Sequence, residues 1–389
     1  MSLRPLLLAG VAVALSACST VSNTLDAINP FSKSAPKIQP APLPNIVPTV
    51  DLARLWQAAI GASGEYVFTP AVVGERVFVA ARDGALARFE NGRQIWRIHA
   101  GQALSGGVGA NDKLVVVGTA KGEVLAFAAE DGRALWQARA SSEILSAPAV
   151  RGDLVAVRSG DARIFGFDAA DGKRRWVYQR SIPALALRSA VGVTLTERAL
   201  YAGYPGGKLV AVALNNGAAL WESTVALPRG TTELERIADV SSDPVVEGSM
   251  VCAVAYQGRV ACFDTDNGRQ LWARELSSIA GLAIGPRAVV VTDEKSTVHA
   301  FERSSGAPLW KQDKLANRGL TRPLAVASRL AIADFEGHVH LLAEEDGAFL
   351  ARQATDASAI SAAPQGLPQS GDAWVVQTRN GAVVAQQIK

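Results

Sequence analysis

His338-Val339-His340 is the place where two imidazoles fall at strand spacing on one face, an arrangement that could offer two ligands to a transition metal. Only four histidines occur in the chain and none of the others is near in sequence, so no third ligand can be named. The pair is expected on a solvated strand face. Cys252 and Cys262 lie ten residues apart on two arms of one hairpin. That spacing is compatible with a cross-strand disulfide and with two buried free thiols, and the free thiols are the favoured reading. No Ser, His and Asp grouping stands at a familiar nucleophile motif, and no Gly-x-x-x-x-Gly-Lys-Ser phosphate loop is present. Gly106-Gly107-Val108-Gly109 falls where a repeat unit begins and reads as strand and turn. With 39 basic and 36 acidic residues the net charge is +3, which leaves no footprint for a nucleic acid. Neither catalytic residues nor a metal site are expected.

The elements that would position any site come from a repeat. Asp131-Gly132-Arg133-Ala134-Leu135-Trp136 is a turn followed by a short apolar run, and close copies end at Trp96, Trp176, Trp221, Trp272 and Trp310. A decayed copy ends at Ala351, and Trp56 stands in the same slot without the turn. Successive slots lie 40, 40, 40, 45, 51, 38 and 41 residues apart. Periods of this length with several strands per unit are the signature of a β-propeller, whose blades bury both faces only when neighbours stack on them. The expected fold is therefore all-β, an eight-bladed propeller of four-stranded antiparallel blades over residues 51–389. After Ala351 the chain supplies three strands and stops. The segment from about Leu52 to Ile60, which includes Trp56, is expected to complete the last blade and lock the ring.

In front of the repeats, residues 1–17 carry a basic start at Arg4 and an apolar run from Leu6 to Leu15, the pattern of a secretory signal. Leu15-Ser16-Ala17-Cys18 resembles the bacterial lipobox, which implies that Cys18 becomes a lipidated N-terminus. Several acyl chains suffice for a stable membrane anchor. Ser19, where an inner-membrane retention signal would show Asp, favours the outer membrane. A periplasmic address would also permit a disulfide. Residues 18–50 have no period and hold Pro30, Pro36, Pro40, Pro42, Pro44 and Pro48, so they read as a tether. At about 3.1 Å per residue it reaches up to roughly 100 Å.

The runs Gly166-Phe167-Asp168 to Trp176, Cys262-Phe263-Asp264 to Trp272 and Ala300-Phe301-Glu302 to Trp310 are similar to the tryptophan-docking repeat of pyrroloquinoline-quinone-type propellers. In that family the indoles pack between blades, which implies a structural role for the seven tryptophans. Quinoprotein dehydrogenases share the repeat but are usually longer and hold their cofactor beside two consecutive cysteines, which this chain lacks. No cofactor is expected, although a small molecule on the central axis is left open. Lipobox, tether and eight repeats in 389 residues together resemble the BamB family, lipoprotein subunits of the outer-membrane β-barrel assembly (BAM) machinery. The resemblance implies a non-enzymatic scaffold at the periplasmic face of the outer membrane. It would dock on the POTRA-type periplasmic domains of the central barrel subunit BamA, meet other subunits, and assist delivery of unfolded outer-membrane proteins. Pro183-Ala184-Leu185-Ala186-Leu187-Arg188 resembles the family's Leu-x-Leu-Arg segment, and Asp239-Val240-Ser241 its Asp-Val-Asp loop with Ser241 in place of the second Asp. These stretches lie in the two longest intervals. The match implies Leu185 and Leu187 as apolar anchors, Arg188 as a forked donor, and Asp239 as its acidic neighbour. Blade edges that accept client strands by β-augmentation are a further expectation.

Overall fold

The computed structural model describes residues 39–389, so the expected signal peptide, Cys18 and most of the tether lie outside the described residues. Within the folded unit Ala41–Lys389, eight antiparallel sheets of four strands each follow one another, the eight-bladed propeller expected from the repeats. Blade 3 illustrates the plan, with Ala149–Arg151, Leu154–Arg158, Ile164–Asp168 and Arg174–Tyr178 running from the axis outwards. The apolar core is divided into eight clusters, each shared by consecutive blades. Leu154, Ala156 and Ile164 of blade 3, for instance, pack on Leu200, Ala202 and Val210 of blade 4. Each blade thus offers one face to each neighbour, which explains why its two middle strands are apolar on both faces.

The tryptophan slot works between blades. The indole N–H of Trp96, Trp136, Trp176, Trp221, Trp272 and Trp310 donates to a carbonyl of the following blade at 2.8–3.1 Å. Each ring also lies against the glycine of that blade's turn. Gly92, Gly132, Gly172, Gly217, Gly268, Gly306 and Gly347 have φ between +67° and +81°, and a Cβ on any of them would come within 2.4–3.1 Å of the preceding indole, Trp56 included. Both the backbone conformation and the close approach exclude a side chain. Within its own blade each indole stands opposite a residue of the neighbouring strand, Ala126 for Trp136, Gly166 for Trp176 and Ala300 for Trp310. That explains the small residue in the repeat.

Blade 8 closes as expected. Leu52–Ala59 pairs with Ala382–Ile388, with Leu52 opposite Ile388 and Ala59 opposite Ala382, and the Lys389 N–H donates to the Asp51 carbonyl at 2.9 Å. Here the decayed slot at Ala351 finds its reason. The glycine turn onto which an indole docks joins the third and fourth strands of the next blade, but in blade 8 those strands, Ala382–Ile388 and Leu52–Ala59, are not consecutive and no turn joins them. With no turn to cover, blade 7 carries Ala351 and places the larger Leu341 opposite it.

The folded body begins earlier than residue 51. The Ala41 N–H donates to the Ala316 carbonyl at 2.9 Å, and the carbonyls of Ala41 and Pro44 accept from Arg318 and Arg352 at 3.1 Å. Leu43 packs on the cluster between blades 6 and 7. Proline lacks a donor but keeps its acceptor, so arginines reaching out from blade 7 and its approach can hold a segment that no ladder could recruit.

Candidate docking site

The two loops singled out by their length connect outer strands to the inner strands of the next blade, and so emerge at the same end of the propeller. Residues 179–193 run from blade 3 to Thr194–Leu195 of blade 4. Residues 225–244 run from Ala219–Thr224 of blade 4 to Val245–Glu247 of blade 5. They are joined through Asp239, which is 3% exposed. Its carboxylate accepts the Leu187 N–H at 2.7 Å and the Gly206 N–H at 3.0 Å, while Asp243 accepts the Gly192 N–H at 2.6 Å. Backbone donors of the first loop are thus satisfied by carboxylates of the second, and Asp239 ties both to the Gly206 turn of blade 4. The second loop is also braced internally. Glu235 accepts the Thr231 and Thr232 N–H groups at 2.9 and 3.1 Å and gives its own N–H to the Thr232 hydroxyl, a reciprocal capping arrangement.

On this base Leu185 is 43% exposed, Ile182 is also exposed, and Leu187 is half-buried with its backbone tied to Asp239. Within the chain the partner of Arg188 is Glu143, not the expected Asp239. The Arg188 Nε and Nη2 donate to Glu143 at 2.9 and 2.8 Å, across the interblade boundary from the loop between blades 2 and 3. The hydrogen bond and charge of Arg188 hold the Glu143 carboxyl below its ordinary pKa against partial burial. Asp239 is not the partner because it is consumed by backbone donors. Glu143 carries no repeat signal in Ser141-Ser142-Glu143, and only the stacking of blades reveals it. The bare Gly160 beneath it makes room, since a Cβ there would meet Glu143 Cγ at 2.8 Å.

The other expected chemical residues are placed differently. Cys252 and Cys262 face each other across adjacent strands, with Cα atoms 4.1 Å apart, and form a disulfide; this corrects the expectation of free thiols. Antiparallel pairing placed them opposite one another, and Cys262 also stands opposite Trp272. The His338 and His340 face is not solvated. His340 is buried, its Nε2 lies 3.1 Å from Asp334 Oδ2, and Arg352 Nε donates to its Nδ1 at 3.2 Å. An acceptor Nδ1 makes Nε2 the protonated nitrogen. Arg318 completes the network, donating to Asp334 at 2.9 Å and pairing with Glu336. Burial opposes ionisation of Asp334, yet the hydrogen bonds from His340, the His338 N–H and Arg318 outweigh it and hold the carboxyl far below the usual range. Among the described residues no group of three or more His, Cys, Asp or Glu could hold a metal ion.

The family model described as "Outer membrane protein assembly factor BamB" matches residues 84–312 and 294–389. The chain belongs to the BamB family. A BamB of Bordetella pertussis is 41% identical over 375 residues, covering 96% of this chain and 94% of that protein. One of Pseudomonas aeruginosa is 40% identical over 363 residues, covering 92% and 95%. The crystal structure of BamB from Moraxella catarrhalis matches with a TM-score of 0.80 at 27% identity, covering 87% of this chain and 100% of that one. A quinohemoprotein alcohol dehydrogenase from Pseudomonas putida HK5 matches with a TM-score of 0.70 at 13% identity, covering 86% of this chain and 76% of that one, a likeness of fold alone.

In this BamB-family propeller the innermost segments of blades 1, 2, 3, 7 and 8 line an open cavity of about 590 Å³, with residues such as Val72, Val108, Val150, Val326 and Leu367. No charged side chain lines it. A polycarboxylated quinone would need cationic or metal-binding groups there to offset its charge. This lining offers none.

Proposed function

We propose that this chain is a non-enzymatic scaffold of the outer-membrane β-barrel assembly machinery, lipid-anchored through Cys18 at the periplasmic face of the outer membrane. It docks on the POTRA-type periplasmic domains of the central barrel subunit BamA and assists delivery and insertion of outer-membrane proteins. The observation that carries this reading is the joined pair of loops at one end of the ring. Asp239 locks them together, while Leu185 and Arg188 are left outward. A pre-organised loop loses little conformational entropy when a partner covers it, and an exposed leucine beside a forked cation suits a protein interface. The test is co-purification in mild detergent of the full-length lipoprotein with its partners. The parent should recover a large outer-membrane barrel subunit, and Leu185→Ala with Arg188→Ala should lose it while remaining folded. Equal recovery by both would refute docking through this loop.

A second contact, with client strands, is favoured by the blade rims. The residue before the tryptophan slot is an outward leucine at Leu55, Leu135, Leu220, Leu271 and Leu309, each more than a third exposed and each on an outermost strand. Such an edge offers both unpaired backbone groups and an apolar contact to an extended chain. Photocrosslinkers at these leucines should capture unfolded barrel precursors; capture only at the other face of the ring would exclude it.

A further inference from the structure

Beneath the 179–193 loop, between blades 3 and 4, lies a cavity of about 60 Å³ whose wall includes Arg158, Ser159, Ser241, Leu187 and Arg188, together with Asp239, whose carboxylate is turned to the backbone donors of Leu187 and Gly206. Arg158 ends the second strand of blade 3 and is 7% exposed. Its Nη1 donates to the Gly203 carbonyl at 2.5 Å, and its guanidinium lies 4.9 Å from the centre of the Tyr204 ring. A guanidinium has five donors and a full charge. One carbonyl and one aromatic face leave most of that capacity unused.

Among the described residues no carboxylate is paired with it. Asp243 and Asp239 are the acids whose charge acts on Arg158, and both are engaged elsewhere, Asp243 with the Gly192 N–H and Asp239 with those of Leu187 and Gly206. Glu143 is taken by Arg188. A second cation sits close by, since Arg180 lies 5.3 Å from the same Tyr204 ring and is paired with Glu222 at 3.3 Å. The Ser241 hydroxyl, also on the cavity wall, is buried without a hydrogen-bond partner. A buried guanidinium with donors beyond the one given to Gly203 and a buried hydroxyl without a partner share this cavity, and together they are complementary to an anion that has two oxygens. The volume is about that of two waters at roughly 30 Å³ each, which suits a single carboxylate group.

We propose that this cavity receives one acidic side chain of the docked partner, an aspartate or glutamate that passes Leu187 and is held by the Arg158 guanidinium and the Ser241 hydroxyl. The proposal rests on the docking reading above. The exposed Leu185 and Ile182 then act as the apolar contact around a charged centre, and Arg158 supplies selectivity for an acid at one position of the partner surface.

The experiment measures binding of the soluble periplasmic domains of the barrel subunit to the full-length lipoprotein in detergent. Three variants are compared with the parent: Arg158→Gln, Ser241→Val and the Leu185→Ala, Arg188→Ala pair. Removing one side of a buried charge pair should weaken binding at least about 30-fold, so Arg158→Gln should show a loss of that order, with Arg158→Lys recovering part of it. Ser241→Val removes the hydroxyl donor and leaves no unpaired polar atom. It should therefore weaken binding without lowering thermal stability, and this holds whether or not Arg158→Gln folds well. One acidic residue of the partner, changed to its amide, should cost no further affinity in the Arg158→Gln background. Parent-like affinity in Ser241→Val and in folded Arg158→Gln, with loss in the Leu185 and Arg188 pair, would overturn the cavity proposal and leave docking intact. Parent-like affinity in all three would remove the docking reading itself. If added acetate or sulfate stabilised the parent and not Arg158→Gln while partner affinity was unchanged, the cavity would be a free-anion site and the proposal would fail.

Discussion

The Asp239 carboxylate accepts the backbone N–H of Leu187 at 2.7 Å, joining two loops that are 52 residues apart in sequence. The same group accepts the N–H of Gly206, so a single buried side chain determines where the 179–193 loop stands relative to blade 4. The surface proposed for docking thus rests on a buried acid beneath it.

Asp239→Ala should destabilise the protein by about 1–2 kcal/mol, because it leaves two half-buried backbone donors without their acceptor. Amide hydrogen exchange at Leu187 and Gly206 should accelerate far more than exchange in the blade strands. Unchanged protection at Leu187 would show that the loop is held by other contacts.

The interblade tryptophans and the Ala351 slot should respond in opposite ways to substitution. Trp136→Ala removes an indole that covers Gly172 and bonds the Ala169 carbonyl, and should cost about 3–5 kcal/mol in denaturant unfolding. Ala351→Trp should also destabilise, by about 1–3 kcal/mol, because Leu341 occupies the opposite position and no turn awaits the ring. Pairing it with Leu341→Ala should relieve part of that cost, and strict additivity of the two would contradict the volume exchange.

Replacing Cys252 and Cys262 with alanine should lower stability by about 2–3 kcal/mol, the expectation for a bridge closing a short loop. The hairpin should keep its register, since it is set by the surrounding apolar strands. Both sulfurs are buried, so thiol labelling after unfolding without reductant is the test; it should find neither residue, and labelling of both would argue for free thiols.

The buried His340 should make stability depend on pH. Burial pushes its pKa below the ordinary histidine value, against the opposing pull of Asp334. The unfolded chain then takes up its proton at higher pH than the folded chain, so the contribution is fully present above the ordinary value and is lost as pH falls towards the lowered one. Unfolding free energy should decline between about pH 7.5 and about pH 5.5, the range in which histidine titrates. His340→Gln, which keeps a donor for Asp334, should flatten that slope. An unaltered slope would assign the pH dependence to other groups.

The repeat made the architecture legible before any coordinates, for a physical reason. Each blade must bury the same faces and turn the same corners, so glycine, the small residue and tryptophan return at fixed offsets and their count is the blade count. Even ring closure followed, from three strands at one end of the chain and one unassigned strand at the other. The chemistry of single sites followed different rules. His338 and His340 looked like a solvated pair because alternation gives the face but not what covers it, and Arg318, Arg352 and Asp334 come from elsewhere in blade 7 and its approach. Cys252 and Cys262 needed the register of one hairpin to become a bridge. Glu143 and Arg158 gave no signal at all, since nothing in their local sequence announces which neighbour they meet. Local periodicity determines the elements and their order; the partner of a polar side chain is decided only when blades stack, because electrostatics and hydrogen bonding act across space that the sequence does not measure.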